Sequence, residues 1–253
     1  MTIVIQGETN MTTIDEEGPD QPVRFDEHAD LAAFRLADSF LPVGGTSLSY
    51  ALEQFVEAGD VETAADLRQL LKTYLRRQVS GTDLVALRHA HAAARHDDVD
   101  RVCLADERLS AATLPAEFRQ GSTRTGARLL SLHSELIEDD VLIAYAARAE
   151  EGEVPANYAV ALGVTAAATG VGVRQACLLS CHGFVTEMAG AAQRLASLGH
   201  TEVQQVLNDL RPAMRDAVRQ SADRPVTEMA SFAPLVEVRS CEHERADRRL
   251  FMS

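Results

Sequence analysis

Acidic and basic side chains that could do acid–base chemistry lie in two separated stretches of this chain. Glu53 follows an apolar segment, and Glu117 and Arg119 lie in the first turns of a later helical pattern. Two carboxylates beside a guanidinium could form a small active site. The same residues could equally cap helices or pair on helix surfaces. The residues alone leave both interpretations open.

Two cysteines and a histidine suggest a metal-binding site on one predicted helix. Cys177 and Cys181 are four residues apart, followed by His182, and this spacing puts two ligands on one helix face. Both cysteines also fall on an apolar stripe, where a thiol packs as a small hydrophobic group. We favour packing over metal binding. His89 and His96 align two turns apart on another predicted helix. We favour a polar helix surface over a metal site there.

A third cysteine–histidine pair, Cys241 and His243, lies near the end of the chain in the sequence SCEHERADRRLFMS. The soft and hard ligands of this flexible segment could together bind a metal ion. This possibility gives the alternative function of a metal-delivery protein. The spacing matches no standard site, however. We therefore favour a solvated charged segment and predict no metal site.

Charge and composition exclude several classes of protein. The formal net charge of −14 argues against binding to the phosphate backbone of nucleic acids. Lys72 is the only lysine among 24 basic residues, and it has no glycine nearby, so the chain has no P-loop. Many carboxylates with almost no lysine suggest a protein from a high-salt cell, in which salt screens the repulsion of an acidic surface. We expect stability to rise in molar KCl.

The distribution of apolar residues argues against a membrane protein. No run approaches the roughly 20 apolar residues that a membrane span requires. The first ten residues, MTIVIQGETN, lack the basic and apolar regions of a secretory signal. We therefore predict a cytoplasmic protein that does not contact a membrane. Four cysteines in a chain of this length favour free thiols over a disulfide framework.

Apolar spacing predicts an all-α, single-domain bundle of about ten helices with a flexible N-terminal segment and C-terminal tail. We predict an acidic disordered tail at 1–28, the helical body at 29–234, and a partner-binding tail at 235–253. Asp30 is the predicted cap of the first helix, and Thr63 caps a long helix that reaches residue 79. A single helix is predicted over about 201–221.

A rigid corner is predicted within residues 36–53, LADSFLPVGGTSLSYALE. Pro42 biases the preceding residue away from helix, and Gly44 and Gly45 permit backbone angles that a β-carbon forbids. Thr46 or Ser47 can then cap the next helix. On this basis the segment is helix, corner, helix, and no chemistry follows from it.

Several motifs, in order along the chain, resemble those of urease accessory protein F. They are LPVGG with a closing LE, then LPAEFRQGSTRTGARLLSL, then YAVALGVTAAATG, and finally SCEHERADRRLFMS. The resemblance covers about residues 30–253. Arg194 stands where the family commonly has lysine, and Ala51 takes the place of a glycine.

The resemblance implies a non-enzymatic accessory protein in the assembly of the nickel centre of urease. Members of that family bind accessory protein D, also named H, often as a dimer of heterodimers. This complex recruits the GTPase accessory protein G and presents it to apo-urease. The resemblance implies no stably bound cofactor, because the complex as a whole handles Ni²⁺.

The resemblance also implies which residues contact partners. The tail residues Arg248, Arg249, Leu250 and Phe251 would order against the D-type partner, with Phe251 as the apolar anchor. Glu53 and Arg194 match positions near the GTPase-facing surface and the route for nickel. The full set of expected partner-binding residues is Tyr50, Glu53, Glu117, Arg119, Arg194, His243, Glu244, Arg249, Leu250 and Phe251.

Overall fold

The computed structural model describes residues 26–38, 40–42 and 50–245. In these ranges the chain forms twelve α-helices and no strand, which confirms the all-α prediction. A π-helical segment, Leu75–Val79, follows α3, and a short 3₁₀ turn, Val226–Glu228, precedes α12. The α-helices are α1 Glu27–Ala37, α2 Leu52–Glu57, α3 Ala64–Tyr74, α4 Asp83–Ala94, α5 Val99–Ala112, α6 Ala116–Ser134, α7 Asp140–Glu150, α8 Tyr158–Ala168, α9 Val173–Leu195, α10 His200–Asp209, α11 Arg211–Gln220 and α12 Pro234–Glu244.

Helix α8 is central and packs against α4, α6 and α9. Its small residues allow this, because a β-carbon on Gly163 would lie 2.6 Å from the carbonyl oxygen of Leu87. A β-carbon on Gly126 of α6 would lie 2.0 Å from the carbonyl oxygen of Ala156, just before α8. Glycines at these two positions therefore let α8 and the loop before it approach their neighbours closely.

Asp106 of α5 fixes the start of α8. Its buried carboxylate accepts hydrogen bonds from the backbone N–H groups of Ala156 and Asn157, at 2.6 and 2.8 Å, and from the hydroxyl of Tyr145 at 2.7 Å. Burial raises the pKa of Asp106, and these hydrogen bonds oppose that rise. The carboxylate thus anchors the loop between α7 and α8.

Local capping signals were predicted well after α2 but not at α1. Thr63 forms a reciprocal capping box with Asp66, as expected for a Thr N-cap. Gly59 follows α2 with a φ of 75°, in the left-handed region where glycine is favoured after a helix. The predicted cap Asp30 is wrong. Asp26 caps α1, because its carboxylate reaches the free N–H groups of His28 and Ala29.

Two further differences explain why there are twelve helices instead of about ten. The predicted helix over 201–221 is two helices that meet at Leu210, because Pro212 in the first turn of α11 has no N–H for a continuous helix. Residues 234–244, expected to lie mostly in a tail, form α12 and pack against α2. Within the described ranges, no helix is long and apolar enough to span a bilayer.

Candidate functional site

A buried histidine joins three helices that lie far apart in the sequence. His243 of α12 places Nδ1 2.7 Å from Oε2 of Glu117 on α6, and Nε2 3.3 Å from Oε2 of Glu53 on α2. The His243 side chain is 1% exposed, and those of Glu53 and Glu117 are 5% and 12% exposed. The predicted solvated segment is therefore wrong for His243. We call these residues, together with Glu244, the His243 cluster.

The chemistry of the imidazole ring determines what this contact can do. A neutral ring has one N–H and one acceptor nitrogen, whereas the protonated ring donates from both nitrogens. A protonated His243 can therefore donate to both carboxylates at once and balance part of their charge. Buried charges require such pairing, since an unpaired one is strongly unfavourable. The arrangement ties α12 to α2 and α6.

Glu244 completes the cluster at the start of α6. Its Oε1 accepts hydrogen bonds from the backbone N–H groups of Ala116 and Glu117, at 3.0 and 3.4 Å. Pro115 precedes the helix and offers no side-chain cap, so a carboxylate from a distant helix takes that role. Negative charge is favourable at a helix N-terminus. Adjacent residues of α12 thus both contact the first turn of α6.

Arg119 holds the loop that leads into α6. Its Nη1 donates to the carbonyl oxygens of Thr113 and Leu114, each at 2.6 Å. Those carbonyls follow the end of α5, where the backbone has no further helical partner. Among the contacts described, Arg119 therefore stabilises a turn, and its guanidinium makes no ion pair with Glu53 or Glu117.

Tyr50 lies beside the cluster at the start of α2. Its ring packs edge-on against Phe118 and Phe184, with centroids 5.3 and 5.0 Å apart. Tyr50 and Ala51 both have positive φ, 46° and 61°, in the left-handed region that favours glycine. This geometry explains why the resembled family has glycine where this chain has Ala51.

The remaining predicted site residues, those for partner binding and those of the structural corner, fall into two groups. Arg194 lies exposed in the last turn of α9. Pro42 is exposed in a short turn. The other predicted residues, Gly44, Gly45, Arg249, Leu250 and Phe251, lie outside the described residues, as do the other positions of 43–49.

The cysteine and histidine pairs do not converge in the described residues. Cys177 and Cys181 are fully buried, and burial raises their thiol pKa values to about 11 and about 12. His182 is exposed. Cys241 is exposed while His243 is buried, so the two side chains do not share an environment. In the part of the chain that the structure describes, no group of three or more His, Cys, Asp or Glu side chains is arranged to hold a metal ion.

A second polar region shares only Tyr50 with the predicted site residues. It is a cavity of about 50 Å³ lined by residues of the π-helical segment and of α4, α6, α8 and α9. Burial raises the pKa of one lining residue, Glu187, to about 7. A sequence signal for it exists, because Glu187 interrupts a stretch of small and apolar residues, HGFVTEMAGAA. We call this region the oxygen-lined cavity.

Comparison with known proteins finds similarity along most of the chain. A family model described as UreF matches residues 61–211. The urease accessory protein UreF of Trichodesmium erythraeum is 30% identical over 221 residues, which are 87% of this chain and 95% of that protein. Urease accessory protein UreF 1 of Brucella melitensis is 31% identical over 223 residues, 88% of this chain and 92% of that protein. A relative from Bacillus sp. strain TB-90 is 26% identical over a similar span.

Proposed function

Because the chain belongs to the UreF family of urease accessory proteins, we propose that it is a scaffold required for nickel insertion into apo-urease. In this proposal it bridges accessory protein D/H and the GTPase accessory protein G, and it modulates GTP-dependent activation in the cytoplasm. A homodimer can form within that complex. The observation that carries the proposal is a match covering 87% of this chain and 95% of a relative named as an accessory protein.

The contacts of the acidic residues support a scaffold over an enzyme. Glu53 and Glu117 face the ring of His243, and Arg119 bonds two backbone carbonyls. A catalytic carboxylate needs access to a substrate proton. These side chains instead hold helices together, so the proposal assigns them to the shape of the protein. Nickel is cargo of the complex in this proposal, and no resident cofactor is assigned.

The His243 cluster also supports a fixed starting position for the predicted partner-binding tail. Because α12 is fixed to α2 and α6, the chain after Arg245 starts from a rigid point of the surface. Arg248 to Phe251 would then bind the D-type partner, with Phe251 filling an apolar pocket of that partner. In this proposal, the predicted tail interface begins where α12 ends.

Co-purification with a D-type accessory protein in molar KCl tests the tail interface. The full-length chain is compared with a version ending at Arg245, which keeps α12 and the His243 cluster. Loss of binding in the shorter chain, with circular dichroism unchanged, is the expected result. Unchanged binding would mean that the interface lies outside the tail. Failure of the full-length chain to bind would contradict the bridging role.

An activation assay tests the role in nickel insertion. Apo-urease is incubated with the D-type and G-type proteins, GTP and Ni²⁺, with or without this protein. Urease activity is expected to stay near background without it. Arg194→Ala should lower activation, and Arg194→Lys should restore it, because the charge is kept at a position where the family commonly has lysine. Equal activation by all samples would contradict the proposed function.

A further inference from the structure

The oxygen-lined cavity has a lining suited to a cation. Hydroxyl, amide and carboxylate oxygens dominate its polar atoms, and the thiols and histidines of the chain are absent from it. The polar lining residues are Tyr50, Gln78, Asp83, Ser122, Thr125, Tyr158, Ser180 and Glu187. Oxygen donors of this kind select hard cations such as alkali and alkaline-earth ions over softer transition metals.

The two carboxylates of the cavity differ in their contacts. Asp83 lies in the first turn of α4 and accepts a hydrogen bond of 2.9 Å from the hydroxyl of Thr82. Glu187, which is half-buried on α9, has no hydrogen bond or ion pair with any described residue. Burial raises the pKa of Glu187 to about 7, so its charged form is less favourable here than in water. A bound cation would supply the missing partner.

The backbone around the cavity leaves room for such a ligand. Gly183 lies one turn before Glu187 on α9 and lines the cavity, and a β-carbon there would meet no atom within 4 Å. On the opposite wall, Gln78 and Val79 belong to the π-helical segment. Single π-helical turns inside α-helices recur at functional sites, since the extra residue re-aims side chains.

We propose that the oxygen-lined cavity binds one monovalent cation, such as Na⁺, K⁺ or ammonium, with Glu187 as its charged ligand. Glu187 is the lining carboxylate without a described partner, and its single negative charge matches a single positive charge. Asp83 bonds the hydroxyl of Thr82, and burial raises the pKa of Asp83, which favours its neutral form. The volume of about 50 Å³ exceeds the roughly 10–15 Å³ that a cavity needs, on the same measure, to hold one water molecule, so a monovalent ion with a bound water molecule fits. This proposal does not depend on the partners proposed above, although the cavity shares Tyr50 with the residues expected to contact them.

Thermal unfolding in different chlorides separates site binding from screening. The full-length protein is heated at pH 8 in NaCl, KCl, ammonium chloride or choline chloride, each at about 1 M, where the Debye length is only about 3 Å. Choline is too large for the cavity but screens equally. At least one small cation is expected to raise Tm by about 3 °C or more above choline chloride. Equal Tm values in all four salts would overturn the proposal.

Three variants test whether the effect comes from this cavity. Glu187→Gln keeps the shape but removes the charge, and Gly183→Val fills the space, so both should lose the cation-specific shift in Tm. Glu107→Gln, on the exposed face of α5, should keep it. Persistence of the shift in Glu187→Gln would overturn the site even if Gly183→Val fails to fold. Broadening of the sodium NMR line by wild type, but not by Glu187→Gln, is the expected direct signal.

Discussion

Glu117 and Glu187 are both shielded acids in helices of the same bundle, yet their surroundings differ. Glu117 lies 2.7 Å from the ring of His243, and its own N–H reaches Glu244. Glu187 faces hydroxyl groups and has no described partner, and burial raises its pKa to about 7. The first environment connects helices, and the second leaves a charge open to a ligand. For a shielded acid, its contacts therefore distinguish a structural role from a binding role better than its degree of burial does.

The largest effect is expected from breaking the His243 cluster. His243→Ala leaves Glu53 and Glu117 buried without the ring, and removing one partner of a buried charged pair costs about 3–5 kcal/mol. Urea unfolding should show this loss in the free energy of unfolding. Cys241→Ala, exposed on the same helix, is the control and should change it by less than about 0.5 kcal/mol. A small effect of His243→Ala would mean that the cluster does not hold α12.

An effect of opposite sign is expected in the oxygen-lined cavity. The folded pKa of Glu187, about 7, lies above its ordinary value of 4.5, so this group stabilises the fold fully below pH 4.5. That stability is lost as pH rises through 7. In choline chloride at pH 8, Glu187→Gln should therefore raise the free energy of unfolding by about 1–3 kcal/mol.

The pH profile of Glu187→Gln provides the check. In the wild type, ionisation of Glu187 should lower the free energy of unfolding between pH 4.5 and 8. Glu187→Gln should lack this decrease, and Glu107→Gln should retain it. Parallel profiles for wild type and Glu187→Gln would show that this carboxylate is not held in an unfavourable environment. The contrast between the two regions would then disappear.

A moderate effect is expected from the capping contact. Glu244→Ala removes the acceptor of two N–H groups at the start of α6, and loss of a helix cap costs about 1 kcal/mol. Glu244→Gln keeps an amide oxygen and should lose less. Urea unfolding of the pair separates the hydrogen bonds from the charge. Equal losses in the free energy of unfolding for both variants would mean that the negative charge of Glu244 accounts for the whole effect.

The smallest effect is expected on the surface of α12. Arg239 pairs with Asp60, with Nη2 2.6 Å from Oδ2, and both side chains are partly exposed. Exposed pairs contribute about 0.2–1 kcal/mol. A double-mutant cycle of Arg239→Ala and Asp60→Ala should give a coupling in this range that shrinks in molar KCl. A coupling above about 2 kcal/mol would place this pair among the principal supports of α12.

Features that depend on neighbouring residues could be predicted from the sequence. The Thr63 capping box, the turn at Gly59 and the close packing at Gly126 each follow from a few residues and their known preferences. The break at Leu210 was predictable in principle, because Pro212 cannot continue the hydrogen-bond ladder of a helix. The spacing of Val236, Ser240 and His243 likewise marks the buried stripe of α12, hidden among charged residues.

Features that depend on pairing between distant residues could not be predicted in this way. Glu53, Glu117 and His243 were each singled out, but their contact joins positions up to 190 residues apart. Helical periodicity carries no information about which helices meet. The oxygen-lined cavity is harder still, because its lining comes from five helical segments, and Glu187 is unusual only once its neighbours are known.

The long span between Glu53 and His243 has a consequence for synthesis of the protein. A nascent chain contains both acids long before the ribosome adds residue 243, so the bundle can form early while its two carboxylates still lack the ring. Docking of α12 is then the last event of folding. Premature termination between residues 117 and 243 leaves both carboxylates without the ring, so such chains would be less stable and more open to proteases than finished ones.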